Sequence, residues 1–381
     1  IATRPLDGLI ALSATAMRAE PRAMAPGDLF DIIYSSGTTG MPKGIEHDAL
    51  FRSRQIDRLG RIGCGPGAVS LISTPIYSNT TLVALLPALC LGSSVVLMKK
   101  FDEAGWLKLA ERHRVTHAML VPVQIRRLLD HPDFDRTDLS AFEVKLTTSS
   151  PLPAATAAET LRRWPGRLVM IYGMTEGGVS AMLDCGAHPD KLHTVGRVVP
   201  NAELRIVGED GRELPPGETG EVVGRSPTVM LGYRNAPDKT AEIVWTSPEG
   251  EAFLRSGDMG RIDEDGFLVL LDRRKDMIIS GGFNIFAVDL EGVLARHEQV
   301  AEAAVVGVPS ARWGETPVAC VVLRPGATVN AEELRQWANE QLGKNQRLAA
   351  VEIMESLPRN AVGKVLKREL RDRLAATAAV A

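Results

Sequence analysis

From residue 29 to about 172, short apolar runs alternate with longer stretches of helical pattern. Leu29–Tyr34, Val69–Ser73, Ser93–Met98, His117–Val121, Glu143–Thr148 and Leu168–Tyr172 predict strands. Asp48–Gly60, Asp102–Arg114 and Pro153–Trp164 predict helices between them. Alternation of this length predicts a largely parallel α/β sheet, since parallel neighbours need a long crossover. Ligands of such sheets sit at the carboxyl ends of the strands, and the polar loops after Tyr34 and Tyr172 fall there.

The texture changes from about residue 193 to 272. Glu203–Val207, Gly220–Gly224 and Gly266–Leu271 are strand-like pieces separated by turns such as Glu-Asp-Gly-Arg and Asp-Glu-Asp-Gly, the pattern of a small antiparallel region. The charged run Asp272-Arg-Arg-Lys-Asp276 marks a boundary. Beyond it come strands near Ala303–Val308, Pro317–Leu323 and Val351–Met354, and helices near Asp289–His297, Ala331–Leu342 and Lys364–Leu374. About a hundred residues of this kind suffice for a separate small domain. The expected fold class is α/β: a large N-terminal domain with mostly parallel sheets and a small antiparallel β region, then a small α/β C-terminal domain. No internal repeat appears, and the tail Ala375–Ala381 is expected to fray.

Composition narrows the partners more than the fold. A net charge of −3 over 381 residues gives no bulk electrostatic reason to bind nucleic acid or an anionic membrane. Cys64, Cys90, Cys185 and Cys320 are scattered without a Cys-x-x-Cys pair, which argues against structural zinc or a disulfide framework and for a reducing, cytoplasmic location. The longest apolar stretch, Leu82–Leu97, is broken by Pro87, Gly92 and two serines and is too short to span a bilayer. Ile1 is not an initiator methionine, so the true N-terminus is expected to lie upstream.

Five clusters are polar in ways that a core does not need. Residues 34–44, Tyr-Ser-Ser-Gly-Thr-Thr-Gly-Met-Pro-Lys-Gly, combine four small hydroxyls, three glycines and Lys43. They suit phosphate oxygens, although Pro42 and Gly44 around Lys43 break the Gly-x-x-x-x-Gly-Lys-Ser/Thr template; the alternative is a plain connector. Thr147-Thr-Ser-Ser-Pro-Leu-Pro153 is a hydroxyl-rich strand end, or simply a helix start at Ser150 or Pro151. Tyr172-Gly-Met-Thr-Glu176 sets an acid directly after a strand, either solvated or suited to Mg²⁺ on a nucleotide. Arg255-Ser-Gly-Asp258 offers an aspartate that forms a tight turn or accepts both hydroxyls of a ribose. Pro358-Arg-Asn-Ala-Val-Gly-Lys364 presents a lysine at a helix start, where the dipole does not favour it.

In this order and spacing the clusters resemble the adenylate-forming superfamily: acyl-CoA synthetases, peptide-synthetase adenylation domains and beetle luciferases. The resemblance runs from about residue 29 to 374 and is greatest to acyl-CoA synthetases. It implies that Ser35, Ser36, Gly37, Thr38, Thr39, Gly40 and Lys43 wrap the β- and γ-phosphates of ATP and follow the departing pyrophosphate. Ser149, Ser150 and Pro151 border adenine by the same likeness. Tyr172 stacks near the base, with Gly173 and Met174 in the same nucleotide-binding stretch. Thr175 touches the phosphates, Glu176 holds Mg²⁺, and Asp258 binds the ribose hydroxyls with Arg273 close by. Lys364 reaches the carboxylate and the α-phosphate. Lys275 is the implied hinge between a large domain, 1–274, and a small mobile catalytic domain, 275–381. Rotation about it brings up Gly281 and Gly282, whose backbone leaves room for a pantetheine arm.

The implied reaction joins a small carboxylic acid to the co-substrate coenzyme A through an acyl-adenylate, releasing pyrophosphate and then AMP. Alternatives are a module that loads a carrier protein and a truncated, non-catalytic ATP binder. Relatives commonly carry proline and glutamate where this chain has Ala287 and Asp289, a departure that bears on the thiol channel. Tyr77 and Ser78 stand at the acyl pocket in place of an aromatic–histidine pair. Gly177, Gly178 and Ser180 beside the pocket strand suggest room for a longer aliphatic or aryl acid. The likeness also implies an upstream segment that walls this pocket.

Overall fold

The computed structural model describes residues 23–35, 42–360 and 363–378. Its largest sheet has seven strands in the order Ser94–Leu97, Val69–Ile72, His117–Leu120, Val144–Thr147, Arg167–Gly173, Ser180–Asp184 and Arg197–Val198. The first five are parallel and the last two antiparallel. Every residue of the two central strands is buried, as a sheet covered on both faces requires. On one face the helices Glu103–Arg112, Pro122–Asp130 and Ala154–Arg163 contribute Trp106, Ile125, Leu128 and Ala157 to the main core. On the other, Ala49–Gly60 and Asn79–Cys90 contribute Leu59 and Ala84. The Asn79–Cys90 helix was not anticipated, because Pro87 near its end made the segment look broken.

Leu29–Ser35 is not part of this sheet, contrary to expectation. It pairs antiparallel with Lys43–Asp48, which pairs in turn with Gly232–Tyr233. Tyr34 therefore lies at the end of an antiparallel strand, not of a parallel one. The expected antiparallel region is a five-stranded sheet: Glu203–Val207, Gly220–Arg225, Ala252–Ile262 and Val244–Thr246, with Leu268–Arg273 beside Ala252–Ile262. The last sheet runs Phe283–Ile285, Ile278–Ser280, Gly314–Leu323 and Val300–Ser310, with Ala350–Ile353 parallel to Gly314–Leu323. The helices Ala287–Leu294, Ala331–Gln341 and Lys367–Ala378 accompany it, and the first two help to enclose its core around Leu290, Val305 and Leu334.

One buried charge belongs to the scaffold. Lys145 has no exposed surface, and its Nζ donates to the carbonyls of Trp164 (3.2 Å), Gly166 (2.8 Å) and Pro165. It ties the turn after Ala154–Arg163 to the sheet, while burial pushes its pKa down to about 7. Lys145→Ala orphans three carbonyls and is expected to cost about 2–4 kcal/mol, measured by urea unfolding at pH 7. Lys145→Met, which keeps the packed stem, isolates the polar share of that loss.

Candidate active site

Chain geometry gathers the candidate residues into three linked groups. The first surrounds Asp258. Ser256–Asp258 form a bulge within Ala252–Ile262 rather than the expected free turn: Gly257 has φ +71, Ser256 Oγ donates to the Val222 carbonyl and accepts from Asp258 N. The bulge re-aims Asp258 so that Tyr172 Oη donates to its Oδ2 at 2.7 Å and Arg273 Nε lies 2.7 Å from Oδ1. Burial and this carboxylate push the Tyr172 phenol well above its usual range, so the hydroxyl remains a donor. Tyr172 and Gly173 end a parallel strand of the large sheet, which sets this group at the sheet's carboxyl edge.

Lys364 comes to the same place from the far end of the chain. It precedes the Lys367–Ala378 helix by three residues, so the expected conflict with a helix dipole does not arise. Its N–H donates to Asn360 Oδ1 and its carbonyl accepts from Asn360 N, while Arg359 joins the Gly363 carbonyl to Glu302. A Cβ on Gly363, whose φ is +78, would lie 2.7 Å from Val123 Cγ1 and 3.4 Å from Val121 Cγ2. The loop therefore lies against the start of Pro122–Asp130, just past the strand His117–Leu120. Burial, then Arg273 and Lys275, outweigh Asp258 and Asp276 and bring the Lys364 pKa down to about 8. Lys275 is exposed in the turn after Leu268–Arg273.

The second group surrounds Glu176. Ser35 and Lys43 are cross-strand partners at the mouth of the hairpin; Ser36, Gly37, Thr38, Thr39 and Gly40 lie outside the described residues. Lys43 Nζ is 4.5 Å from the ring centroid of Tyr233, whose hydroxyl donates to Glu176 Oε1 at 2.7 Å. Met230 N donates to the Glu176 carbonyl, Gly177 N to the Met174 carbonyl, and His47 Nε2 lies 2.8 Å from the Thr175 carbonyl. Met174 packs against the main core.

The third group joins the acyl-pocket candidates to the hydroxyl-rich strand end. Ser149 has φ +79, a strained conformation for a non-glycine, and its Oγ meets Thr80 Oγ1 at 2.7 Å. Neither Ser150 nor Pro151 starts the helix, whose cap is Pro153. Ser78 caps Asn79–Cys90 without a side-chain bond, and Tyr77 beside it is 69% exposed.

Two pairs of glycines have backbone roles of their own. Gly177 and Gly178 both have φ +75, and a Cβ on them would lie 2.2 Å from the Thr228 carbonyl and 2.9 Å from the Gly224 carbonyl. Their smallness serves close backbone packing against Thr228 and Gly224, and Ser180 Oγ accepts from Arg58. Gly281 (φ +58) and Gly282 (φ +81) form a two-residue hairpin turn that itself demands positive φ. Gly281 packs on Trp313, and Gly282 has open space around its Cβ position.

Sequence inspection missed Asp31, His47 and Arg52. Arg52 is 1% exposed; its Nε donates to Asp31 Oδ2 (2.7 Å) and its Nη1 to Asn79 Oδ1 (2.8 Å), while His47 Nδ1 is 2.7 Å from Asp31 Oδ1. This buried cluster ties the hairpin, the Thr175 turn and the start of Asn79–Cys90 together. Its one sequence signal was an acid inside the apolar run Leu29–Tyr34. Lys367, which pairs with Glu291 at 2.9 Å, and Arg371, which pairs with Asp276, are further polar contacts that sequence inspection did not find.

The chain is similar to known proteins over most of its length. The AMP-binding enzyme model matches residues 5–234, and the AMP-binding enzyme C-terminal domain model matches 289–364. The fatty acid–[acyl-carrier-protein] ligase ScoC of Streptomyces coeruleorubidus is 34% identical over 93% of this chain and 69% of its own length. A feruloyl-CoA synthase of an Amycolatopsis species is 35% identical over 91% of this chain and 70% of its own. The ATP-bound structure of MatB from Rhodopseudomonas palustris superposes with a TM-score of 0.88 at 32% identity, over 96% of this chain and 72% of MatB. Its apo structure superposes less well, with a TM-score of 0.73. The chain belongs to the AMP-binding enzyme family, the adenylate-forming superfamily of AMP-forming acid ligases.

Proposed function

We propose that the chain is a carboxylic acid–CoA ligase that consumes ATP with Mg²⁺ and works through an acyl-adenylate. The observation that carries this reading is Lys364: a loop near the C-terminus sets a half-buried ammonium within electrostatic reach of Asp258 and Arg273, past the carboxyl ends of the parallel strands. An oxygen of the acid attacks the α-phosphorus of ATP, the bond to the bridging oxygen breaks, and pyrophosphate leaves. Two anions approach each other in this step, and the Lys364 ammonium offsets their repulsion where charge concentrates. Asp258, oriented by Tyr172 and Arg273, accepts the ribose hydroxyls. Ser149, Ser150 and Pro151 border the base, and the hairpin residues from Ser35 to Lys43, with Thr175, take the phosphates. Among the described residues no three acidic, histidine or cysteine side chains group as a metal cage. A cation held by Glu176 together with nucleotide oxygens fits that donor set and would shield phosphate charge.

The thiol sulfur then attacks the acyl carbon, the bond from that carbon to AMP breaks, and the thiol proton passes to solvent. A rotation of 275–381 about Lys275 withdraws Lys364 and opens the entry, with the Gly281–Gly282 hairpin moving in. A cytoplasmic location suits the four free cysteines, and among the described residues no helix is long and apolar enough to cross a membrane.

The test is a panel of aliphatic and aryl acids with ATP, Mg²⁺ and CoA, products identified by mass. Acyl-CoA with AMP and pyrophosphate is expected for at least one acid. Absence of ATP–pyrophosphate exchange with every acid sinks the reading in favour of a non-catalytic nucleotide binder. The name of one relative, an acyl-carrier-protein ligase, supports a second reading; acylation of an added carrier protein without acyl-CoA formation selects it.

The pH dependence has a defined sign. Lys364 is charged below about 8 and neutral above it; Arg273, Lys275, Asp258 and Asp276 are the charges around it. kcat/KM for ATP reports the free enzyme, so it is expected to fall about tenfold per pH unit above that value, measured by pyrophosphate release from pH 6.5 to 10. Lys364→Arg, whose guanidinium stays charged, removes that limb; a wild-type profile flat to pH 10 contradicts the assignment.

A further inference from the structure

We propose that Tyr233 is a positioning residue of the nucleotide–metal site, its hydroxyl orienting the Glu176 carboxylate and its ring seating Lys43. This rests on the phosphate-binding reading given above and deepens it. Gly232–Tyr233 is a short strand on the outer side of Lys43–Asp48, with Tyr233 opposite Ile45. Tyr233 is 6% exposed and shares a small core with Ile45 and Met230, while its backbone N–H donates to Thr240 Oγ1. The ring is thus packed, and its backbone held, before either partner is considered.

From that fixed ring two contacts reach the chemistry. The hydroxyl donates to Glu176 Oε1 at 2.7 Å, and Lys43 Nζ sits 4.5 Å from the ring centroid. The neighbouring Met230 N also holds the Glu176 carbonyl. One four-residue segment therefore fixes both the backbone and the side chain of the candidate metal acid, and it seats the candidate phosphate lysine on the same ring. Burial and the Glu176 carboxylate raise the ionisation of the phenol far above its ordinary value, so it acts as a neutral donor throughout the working range. Binding one carboxylate oxygen sets the direction of the other, which is what a cation shared with phosphates needs. A cation on the ring face is held by the ring quadrupole yet remains available to a stronger anion.

The test measures binding rather than turnover. Mn²⁺·ATP affinity is read by electron paramagnetic resonance of free Mn²⁺, and metal-free ATP affinity by calorimetry with chelator. Tyr233→Phe keeps the ring and removes the hydroxyl; it is expected to weaken Mn²⁺·ATP binding about tenfold, the size of one hydrogen bond to a charged group, with metal-free ATP unaffected. Tyr233→Leu also removes the seat of Lys43 and is expected to weaken both. In a Glu176→Gln background, Tyr233→Phe is expected to make no further difference, and this cycle keeps the test decisive should Tyr233→Leu fold poorly. Wild-type Mn²⁺·ATP affinity in Tyr233→Phe, or equal weakening with and without metal, overturns the proposal alone. A wild type that binds no Mn²⁺·ATP overturns the phosphate-site reading and this proposal together.

Discussion

Replacing Lys364 with alanine is expected to lower acid-dependent pyrophosphate release by about 10²–10³-fold, the usual cost of one preorganised charge at a developing anion. Transfer of the acyl group from a supplied acyl-adenylate to CoA is expected to stay near the wild-type rate. The asymmetry follows from where the side chain comes from. Lys364 reaches Asp258 and Arg273 only while its loop lies against Val121 and Val123, whereas the thiol step has no further anion pair to bring together. Lost folding does not explain such a result. A lysine whose folded pKa is near 8 and whose unfolded value is 10.5 opposes folding below pH 8, and that opposition fades as pH rises towards 10.5. Alanine removes it, so at pH 7 the variant should melt no lower than the wild type. Measuring both half-reactions with a thermal melt decides the matter; equal losses in the two rule out a role confined to adenylation.

Asp258→Ala is expected to weaken ATP and AMP binding by about 10²-fold, because two hydrogen bonds to a charged acceptor disappear, each contributing roughly 1.5–3 kcal/mol before compensation. It also leaves Tyr172 Oη and Arg273 Nε without the acceptor that each now contacts at 2.7 Å. A simple structural role would weaken every nucleotide alike. The ribose role predicts more: wild type discriminates against 2′-deoxy-ATP, and Asp258→Ala binds ATP and 2′-deoxy-ATP equally. Calorimetry with both nucleotides on both proteins forms a cycle that isolates the ribose contact. Undiminished discrimination in the variant removes Asp258 from the ribose site. Tyr172→Phe serves as the control, since it loses one support of the carboxylate but retains the carboxylate itself.

Much of the architecture was legible in the chain. The strands His117–Leu120 and Val144–Thr147, buried on both faces, lie within the short β-rich runs that alternate with helical patterns. The helix Ala49–Gly60 begins at Asp48, whose side chain accepts from Phe51 N, a cap that sequence announces directly. Leu29–Ser35 misled because an apolar run carries no mark of whether its partner is parallel or antiparallel. Its partner, Lys43–Asp48, was absorbed into the phosphate-loop motif. Gly177, Gly178, Gly281 and Gly282 were visible as glycines, but their cause was not: two are pressed against a neighbouring backbone and two form a hairpin turn.

Of the candidate site, the sequence by itself determined the chemical types and their order: a hydroxyl-rich loop with Lys43, an acid after Tyr172, Asp258, and a lysine in a Pro/Gly loop at 364. Local motifs survive in sequence because spacing and residue type are properties of neighbours along the chain. Tertiary structure alone decided that Tyr172 and Arg273 share Asp258 and that Lys364 joins them. It also decided that Tyr233 stands between Lys43 and Glu176, and that Arg52, Asp31 and His47 brace the loops from beneath. Those contacts link residues separated by up to hundreds of positions. Their polar members are buried only because partners arrive from other strands, and no local pattern encodes which partner that will be.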